Sequence, residues 1–378
     1  MDRCGAFAVG ILFTVQTPKS LYSGQQGQNR MSLGPVMLDI DDVSLSPADR
    51  DLLREQAVGG VILFARNYES AAQITDLVAE IRALRSPAPL IAVDHEGGRV
   101  QRFRDGFSDI PPMRHLGHVH DRDAALALQL AHKAGWLIGS ELRATGIDLC
   151  FAPCVDLDWG VSEIIGDRSF HAQPDTVGEL SAEFSRGLRS AGMVAVAKHF
   201  PGHGGVVADS HLRLPVDRRD YGALLDDMRP YDRLITNGLI AGVMLAHVVY
   251  REVDHAPAGF SDYWIQRELR GRLGFGGAVF CDDLSMKATG GYGSMADRAK
   301  HALDAGCDMV LVCNDRPAAQ QAVHALKEYS NPLSAVRLAR LHGTGHPLRK
   351  SLLASDEWQD ATAALSGWRE RPQLELDA

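Results

Sequence analysis

The sequence contains no long apolar run, no excess of positive charge and no closely spaced pair of cysteines. None of its apolar segments reaches the roughly 18 residues that a transmembrane helix requires. The 378 residues carry a formal net charge of −9, which argues against a non-specific nucleic-acid binder and against a basic membrane-surface protein. The six cysteines include no C-x-x-C pair, so neither a zinc ribbon nor a thioredoxin-like site is indicated.

The cysteines that are present lie in or beside apolar segments. Cys150, Cys281 and Cys313 fall inside such segments, and Cys154 and Cys307 stand close to others. Buried free thiols are typical of a reducing compartment, so we expect a cytoplasmic protein. A balance of 45% hydrophobic and 23% charged residues predicts a hydrophobic core of normal size.

The first 30 residues differ in character from the rest of the chain. Arg3 and the apolar run from Ala6 to Val15 resemble a short signal peptide, but no small-x-small cleavage site follows them. We therefore interpret residues 1–30 as a disordered leader or as a start-site extension upstream of Met31.

Eight short apolar runs alternate with helical patterns through the body of the chain. The runs are PVMLDI (35–40), GVILF (60–64), LIAVD (90–94), DLCFAP (148–153), VAVAKH (194–199), GVMLAH (242–247), AVFCD (278–282) and MVLVCN (309–314). Because the runs are apolar on both faces, they predict strands of a parallel sheet that is covered on both sides. Their number favours a closed (β/α)8 barrel over an open doubly wound sheet, and no G-x-G-x-x-G follows the first run.

Helix signals occupy the intervals between the runs. The predicted N-cap residues are Ser46, Ser70, Asp175, Ser261 and Ser294. Gln73 stands three residues after one of them, which predicts a capping box. The repeat ends near residue 345. We therefore predict a single-domain α/β protein with its (β/α)8 barrel over residues 31–345 and a partly helical tail over 346–378.

Polar residues are concentrated where the predicted strands end. In a (β/α)8 barrel the active site lies at the carboxyl ends of the strands, so residues from different strands meet around one axis. The strand-end residues are Asp94, His95, Glu96, Asp156, Asp158, Lys198, His199, His247, Asp282, Asp283 and Asn314. Their convergence predicts one site.

Two polar segments have both a structural and a functional interpretation. DHEGGRVQR (94–102) contains a glycine pair that permits a sharp turn. It also contains a carboxylate that can accept hydrogen bonds from two hydroxyls, and arginines that can bind carboxylates or carbonyls through two N–H groups at once. A solvated charged turn has the same composition. GDRSF (166–170), taken alone, has the form of a surface loop with an internal ion pair.

The richest segment is KHFPGHG, followed at short range by DSH. A metal site at His199 and His203 would require a helix, which the Pro-Gly step between them forbids. The alternative is a carboxylate–imidazole pair, because Asp209 and His211 are two residues apart. Such a carboxylate raises the pKa of the imidazole and makes it a usable acid near neutral pH.

A further segment, CDDLSM, follows the seventh predicted strand. It places Asp282 at the strand end, where a carboxylate can attack an anomeric carbon. The structural alternative is an aspartate that caps the next helix, a role available to Asp283.

Taken together, these segments resemble the bacterial β-N-acetylglucosaminidases of glycoside hydrolase family 3, the NagZ type. The likeness extends from Gly34 to Ala322, and KHFPGHG with DSH, and DDLSM, are its most specific segments. DHEGGRVQRF, GDRSF and VDHAPAGFS support it. The chain departs from the pattern at Cys281, where similar proteins often carry serine, and at Leu245, where they often carry proline.

The resemblance implies a retaining exo-β-N-acetylglucosaminidase that releases terminal β-linked N-acetylglucosamine through a covalent glycosyl–aspartate. It implies that Asp282 is the nucleophile, His211 the general acid/base and Asp209 the residue that orients this histidine. The implied substrate-binding residues are Asp94, Arg102, Arg168, Lys198, His199 and His247. A histidine thereby replaces one of the two carboxylates that most glycosidases use.

The implied biological role is peptidoglycan recycling, with N-acetylglucosamine removed from anhydro-muropeptides. No metal, organic cofactor, nucleic acid or membrane is implied, and we expect a monomer. Three alternatives stay open: a metal-dependent barrel hydrolase, a phosphorylase that uses phosphate in place of water, and a sugar-binding protein without catalysis. The presence of both Asp282 and His211 argues against the last of these.

Overall fold

Eight parallel strands form a closed barrel in the computed structural model, which describes residues 32–207, 214–366 and 368. The strands of the described chain are β1 (Val36–Leu38), β2 (Val58–Leu63), β3 (Leu90–Val93), β4 (His95–Gly97), β5 (Val100–Gln101), β6 (Leu149–Cys150), β7 (Val194–Phe200), β8 (Val216–Asp217), β9 (Ile240–Leu245), β10 (Val249–Tyr250), β11 (Ala278–Cys281) and β12 (Met309–Val312). The barrel order is β1-β12-β11-β9-β7-β6-β3-β2. Each predicted apolar run contributes one barrel strand, so the predicted (β/α)8 barrel is confirmed.

The other strands form two small sheets next to the barrel. β4 and β5 pair in antiparallel fashion directly after β3, and the chain turns between them at Gly97 and Gly98, which both have positive φ. β8 pairs in parallel with β10 and so joins the segments that follow β7 and β9. The glycine pair therefore makes the sharp turn that the sequence predicts.

Helices connect the barrel strands and cover the outside of the barrel. They are α1 (Pro47–Leu53), α2 (Ala71–Ala83), α3 (Met113–His120), α4 (Ala124–Arg143), α5 (Pro174–Ser190), α6 (Tyr221–Thr236), α7 (Met295–Ala305), α8 (Arg316–Ala325), α9 (Pro332–Ala339), α10 (Arg349–Leu353) and α11 (Asp356–Leu365), with a π-helix at Tyr263–Arg272. Ser46, Ser70 and Ser294 cap helices as predicted. The π-helix has Asp262 as its N-cap, so the predicted cap Ser261 lies one residue earlier, although its hydroxyl accepts from the Trp264 N–H.

Two further predictions about helix starts are wrong in detail. α5 begins at Pro174 with Gln173 as its N-cap, so Asp175 lies in the first turn and does not cap the helix. Proline suits the first helical position because its missing N–H would have no partner there. The Gln73 side chain accepts from the Glu69 N–H, one residue before the N-cap, so the predicted capping box is incomplete.

The apolar residues form two cores, one on each face of the barrel wall. The inner core fills the barrel with side chains that include Met37, Ile62, Phe151 and Phe280. The outer core lies between the strands and the helices. Successive strand residues point to opposite faces, so a strand with two buried faces must be apolar throughout.

Polar interactions fix the amino-terminal end of the barrel and the chain beyond residue 345. Asp308, just before β12, accepts hydrogen bonds from the Val279 N–H at 2.8 Å and from Arg270 at 2.9 Å.

In the chain beyond residue 345, Trp358 Nε1 of α11 donates a hydrogen bond to Glu141 of α4 at 2.8 Å. The segment predicted as a partly helical tail thus contains α10 and α11, and α11 contacts α4.

Some predictions fall on residues that the structure does not describe. The leader proposed for residues 1–30 lies outside the described residues, as do Asp209 and His211. Among the helices of the described ranges, none is both long enough and apolar enough to span a bilayer.

Gly135 in α4 provides a test of the helix packing around the barrel. A Cβ at this position would collide with the backbone carbonyl of Phe184 in α5, which no side-chain rotation can relieve. Alanine gains about 1 kcal/mol of helix propensity over glycine, but overpacking costs about 1–3 kcal/mol. We therefore expect Gly135→Ala to lower the free energy of unfolding measured in urea.

Gly276→Ala is the matched control for this substitution. No described atom lies within 4 Å of the Cβ that it would add, so we expect a change within about 0.5 kcal/mol. If Gly135→Ala were as stable as the wild type, the close approach of α4 to α5 would be wrong.

Candidate active site

The predicted site residues lie at the carboxyl ends of neighbouring barrel strands. Asp94 follows β3, Lys198 and His199 lie at the end of β7, His247 follows β9, and Asp282 follows β11. β7 lies beside β9, and β9 lies beside β11, so these strand ends form one continuous edge of the barrel. The barrel therefore brings together residues that are far apart in the sequence.

A buried ammonium group is at the centre of the first part of the site. Lys198 Nζ lies 2.7 Å from Asp94 Oδ1 and 2.6 Å from Glu96 Oε1, and the lysine side chain is only 3% exposed. Burial alone would lower the pKa of Lys198, but the two carboxylates raise it above its usual value. The group therefore stays charged in spite of its burial.

Asp94 joins this ammonium group to the solvent-accessible part of the site. Its other oxygen, Oδ2, accepts from Arg102 Nη2 at 3.3 Å, and its side chain is 18% exposed. Burial would raise the pKa of Asp94, but Lys198 and Arg102 hold it below its usual value. An ionised, partly exposed carboxylate between two cations can accept hydrogen bonds from ligand hydroxyls.

Glu96 is a site residue to which the sequence analysis assigned no role. Its carboxylate binds the Arg168 guanidinium in bidentate fashion, with Nε at 2.9 Å and Nη2 at 2.8 Å, and also contacts Lys198. These two cations hold the pKa of Glu96 below its usual value, although burial opposes them. Arg168, whose side chain is 11% exposed, is thus bound to a protein carboxylate. Asp94, between β3 and β4, and Glu96 in β4 are two residues apart in nearly continuous extended chain, and this spacing was the available signal.

A second buried carboxylate, Asp156, holds the histidine part of the site. Its Oδ2 lies 2.7 Å from His199 Nδ1, and its Oδ1 accepts from the His203 backbone N–H at 2.7 Å. Burial would raise the pKa of Asp156, but its interaction with His199 and His203 holds it low. An ionised Asp156 accepts a hydrogen bond from Nδ1–H, so Nε2 is the nitrogen of His199 that is left for a ligand.

Cys154, Asp156 and His199 form a group whose chemistry could suit a metal ion, because their ligand atoms lie within 4.8 Å of one another. In the structure these atoms are already hydrogen-bonded, with Cys154 Sγ donating to Asp156 at 3.2 Å. Burial raises the pKa of the Cys154 thiol well above its usual value, whereas metal binding requires a thiolate. The donor set therefore fits an orienting role for Asp156 better than a metal site.

Asp282 occupies the end of β11 with one oxygen already engaged. Its Oδ1 accepts from the Asp283 N–H at 2.8 Å, and its backbone carbonyl lies 3.0 Å from His247 Nε2. Burial would raise the pKa of Asp282, but the electrostatic effects of His199, His247 and Lys198 lower it below its usual value. The lowered pKa favours the ionised carboxylate, and Oδ2 accepts no hydrogen bond from the described part of the chain.

The neighbouring Asp283 has a structural role. It forms a turn after β11, in place of the helix cap that the sequence analysis considered for it. Its carboxylate accepts from the Ser285 N–H and hydroxyl at 3.0 and 2.6 Å, and from the Cys313 N–H at 3.0 Å. It thereby ties the end of β11 to the end of β12. Burial raises its pKa to about 6. The adjacent carboxylates of Asp282 and Asp283 are thus shifted in opposite directions.

Comparisons with known proteins agree with this geometry. The family model described as Glycosyl hydrolase family 3 N terminal domain matches residues 35–341. A Beta-hexosaminidase of Thioalkalivibrio sulfidiphilus is 52% identical over 347 residues, which cover 92% of this chain and 100% of that protein.

Solved structures of NagZ from Neisseria gonorrhoeae are similar in both sequence and fold. The native enzyme is 42% identical, with a TM-score of 0.85 over 90% of this chain and 98% of that one. Its complex with N-trifluoroacetyl-D-glucosamine matches with the same identity and TM-score, over 90% of this chain and 99% of that one. The chain therefore belongs to glycosyl hydrolase family 3 and is a glycoside hydrolase of the β-N-acetylhexosaminidase type.

Proposed function

We propose that this enzyme removes terminal β-linked N-acetylglucosamine by a retaining mechanism, with Asp282 as the nucleophile. The observation that carries the proposal is a partly buried carboxylate at a barrel strand end, next to histidines and Lys198 that hold its pKa below the usual value. The complex of the similar NagZ with N-trifluoroacetyl-D-glucosamine supports this choice of sugar.

The charged cluster is suited to binding the sugar before the reaction. Asp94 can accept from two adjacent hydroxyls, while Lys198 and Arg102 on either side of it can donate to the same hydroxyls. His199 presents Nε2, because Asp156 holds its other ring nitrogen. Each of these groups is fixed by a protein partner before the ligand arrives, which lowers the entropic cost of binding.

In the proposed first step, Asp282 attacks the anomeric carbon and His211 protonates the departing oxygen. Because Oδ1 accepts from the Asp283 N–H, we assign the attack to Oδ2. The glycosidic C–O bond breaks as the ester to aspartate forms. In the second step, His211 takes a proton from water, the water oxygen displaces the aspartate, and the sugar leaves with its β configuration retained.

We further propose that the natural substrates are anhydro-muropeptides that carry N-acetylglucosamine, and that the role is peptidoglycan recycling by a cytoplasmic monomer. Asp209 would hold the His211 imidazole in the tautomer and orientation that the acid step needs. The family membership and the hexosaminidase type support this substrate class.

Replacement of the nucleophile tests the core of the proposal. We expect Asp282→Asn to reduce turnover of the 4-nitrophenyl β-N-acetylglucosaminide by at least about 10³-fold, because the amide cannot form the ester. The wild type should prefer this substrate over the β-glucoside and the β-xyloside. Circular dichroism controls for folding, and a variant that kept most of its activity would rule out Asp282 as the nucleophile.

Replacement of the proposed acid tests the second catalytic role. We expect His211→Ala to lose about 10²–10⁴-fold in kcat/KM on a poor leaving group such as the second sugar of N,N′-diacetylchitobiose. The loss should be much smaller on the 4-nitrophenyl glycoside, whose leaving group departs without a proton. Equal losses on both substrates would contradict a role in general acid catalysis.

Replacement of Asp156 tests the orientation of His199. We expect Asp156→Asn to lower kcat/KM about 10–100-fold on both substrates, because a charge-assisted hydrogen bond is worth about 1.5–3 kcal/mol. Cys154→Ser is the matched control, since it changes only a weak donor to the same carboxylate. If the serine variant were instead inactive and the wild type contained stoichiometric zinc, the metal-dependent alternative would replace this proposal.

A further inference from the structure

A cavity of about 530 Å³ lies at the amino-terminal end of the barrel, on the opposite side from the candidate active site. Ala88, just before β3, and Asp148, just before β6, line it and so define its place. The rest of its wall comes from α2, the end of α4 and the chain after Leu341. Sites for small molecules typically occupy about 300–1,000 Å³, so this cavity is large enough for a ligand. The function proposed above makes no use of it.

Basic side chains outnumber acidic ones in this cavity. Arg82, Arg143, His342 and His346 line it, and Asp148 is the only acidic residue among the described residues that do so. An arginine side chain is always charged in a protein. Two guanidinium groups therefore share one carboxylate, whatever the protonation of the two histidines.

The Asp148 carboxylate is already divided among several donors. Its Oδ1 accepts from Arg82 Nη2 at 2.6 Å and from the Gly343 N–H at 3.1 Å, and its Oδ2 accepts from the Ile91 N–H at 3.0 Å. Arg143 Nη1 lies farther away, at 3.6 Å from Oδ1. One carboxylate cannot neutralise both guanidinium groups, so the cavity keeps an excess of positive charge.

Arg143 is the less compensated of the two arginines. It is 4% exposed, and the backbone carbonyls of Ile147 and Gly345 accept from its Nη1 and Nη2. Its buried Nε has no hydrogen-bond partner in the described part of the chain. Burial lowers the pKa of Arg143, and Asp148 offsets this effect only in part. Buried polar groups are normally hydrogen-bonded and buried charges are normally paired, so an anion in the cavity would supply what this guanidinium lacks.

The lack of a side chain at residue 343 keeps the space beside this guanidinium open. A Cβ added to Gly343 would lie 2.3 Å from Arg143 Nη1 and 2.6 Å from its Nε. His346 is exposed and makes no side-chain hydrogen bond with the described residues. An imidazole can donate at least one hydrogen bond whether neutral or protonated, so His346 has a donor free for a ligand.

We propose that this cavity binds the phosphate group of a small molecule. A phosphate group carries a charge of about −1.5 to −2 at pH 7 and accepts through three oxygens. One excess guanidinium and two histidine donors match that group better than they match the single charge of a carboxylate. Val78 and Ala79 of α2 give the cavity an apolar part that can contact an organic portion of the ligand. This proposal is independent of the proposed catalytic mechanism.

Titration calorimetry of the full chain with inorganic phosphate, phenyl phosphate and acetate, at constant ionic strength, tests the proposal. We expect inorganic phosphate to bind with a Kd of about 1 mM or lower, and acetate to bind at least about 10-fold more weakly. Tighter binding of phenyl phosphate would identify an organic phosphate as the ligand, and equal or weaker binding would identify free phosphate. If phosphate did not bind, or bound no better than acetate, the proposal would be overturned.

Replacement of His346 removes a donor from the cavity without removing a hydrogen bond of the fold. We expect His346→Ala to weaken phosphate binding about 10-fold, because the ligand loses a hydrogen bond to a charged group. His324→Ala is the matched control, since His324 is an exposed histidine in the last turn of α8 and does not line the cavity. Its phosphate affinity should equal that of the wild type. Wild-type affinity in His346→Ala would show that phosphate binds elsewhere.

Replacement of Gly343 fills the cavity beside Arg143. The added methyl group of Gly343→Ala would overlap the guanidinium, so we expect phosphate binding to weaken at least about 10-fold. Gly276→Ala is the control, because no described atom lies within 4 Å of its added Cβ. Since a ligand of the folded state raises its apparent stability, phosphate should raise the Tm of this control but not that of Gly343→Ala. An equal rise in both would contradict the proposal, and His346→Ala decides alone if Gly343→Ala does not fold.

A saturating concentration of N-acetylglucosamine separates this cavity from the candidate active site, whose cations also attract anions. Phosphate should bind equally well with and without the sugar. His346→Ala should keep the wild-type kcat/KM on the 4-nitrophenyl glycoside, because the cavity lies at the other end of the barrel. Loss of phosphate binding when the sugar is added would place the phosphate in the active site and refute the proposal.

Discussion

The arrangement of the site depends on a single buried ammonium group, that of Lys198. Burial of a lysine costs several kcal/mol unless carboxylates surround it, and here Asp94 and Glu96 both contact it. Those carboxylates in turn bind Arg102 and Arg168. Each charge is therefore tolerated only because its neighbours are present, and removal of one would leave the others buried without compensation.

The same cluster contributes to the ionisation of Asp282, the proposed nucleophile. Arg102, Arg168 and Lys198 surround Asp94 and Glu96, so the cluster carries one more positive than negative charge. Lys198 of this cluster contributes to the lowered pKa of Asp282, after the larger effects of His199 and His247. One of the charges that hold the sugar in the proposed mechanism, that of Lys198, thus also favours the ionised form of Asp282.

The two ends of the barrel use charge for different purposes. At the amino-terminal end, Asp148 and Asp308 bind arginines and backbone N–H groups, which ties loops and helices to the strands. At the carboxyl-terminal end, the charged groups keep partly open positions, as Asp94 does. This division is typical of (β/α)8 barrels, in which stability and chemistry are served by opposite faces.

The sequence predicted what is local in origin and missed what depends on long-range pairing. The eight strands could be predicted because two buried faces require continuous apolar runs, and the glycine turn after β3 because Gly97 and Gly98 take positive φ. The partnership of Glu96 with Arg168 joins residues 72 positions apart, and that of Asp156 with His199 joins residues 43 apart. Neither pair leaves a periodic signal, so their roles emerge only from the fold.

The positive excess also gives a physical reason for a histidine acid in the proposed mechanism. Cations that hold the pKa of Asp282 low would also hold the pKa of a second carboxylic acid low, and an ionised carboxylate cannot donate a proton at neutral pH. An imidazole with a carboxylate partner of its own, as proposed for His211 with Asp209, is protonated more readily because the partner's charge offsets nearby cations. In the proposed mechanism a histidine with its own carboxylate partner can therefore act as the acid where the same cations would keep a glutamic acid ionised.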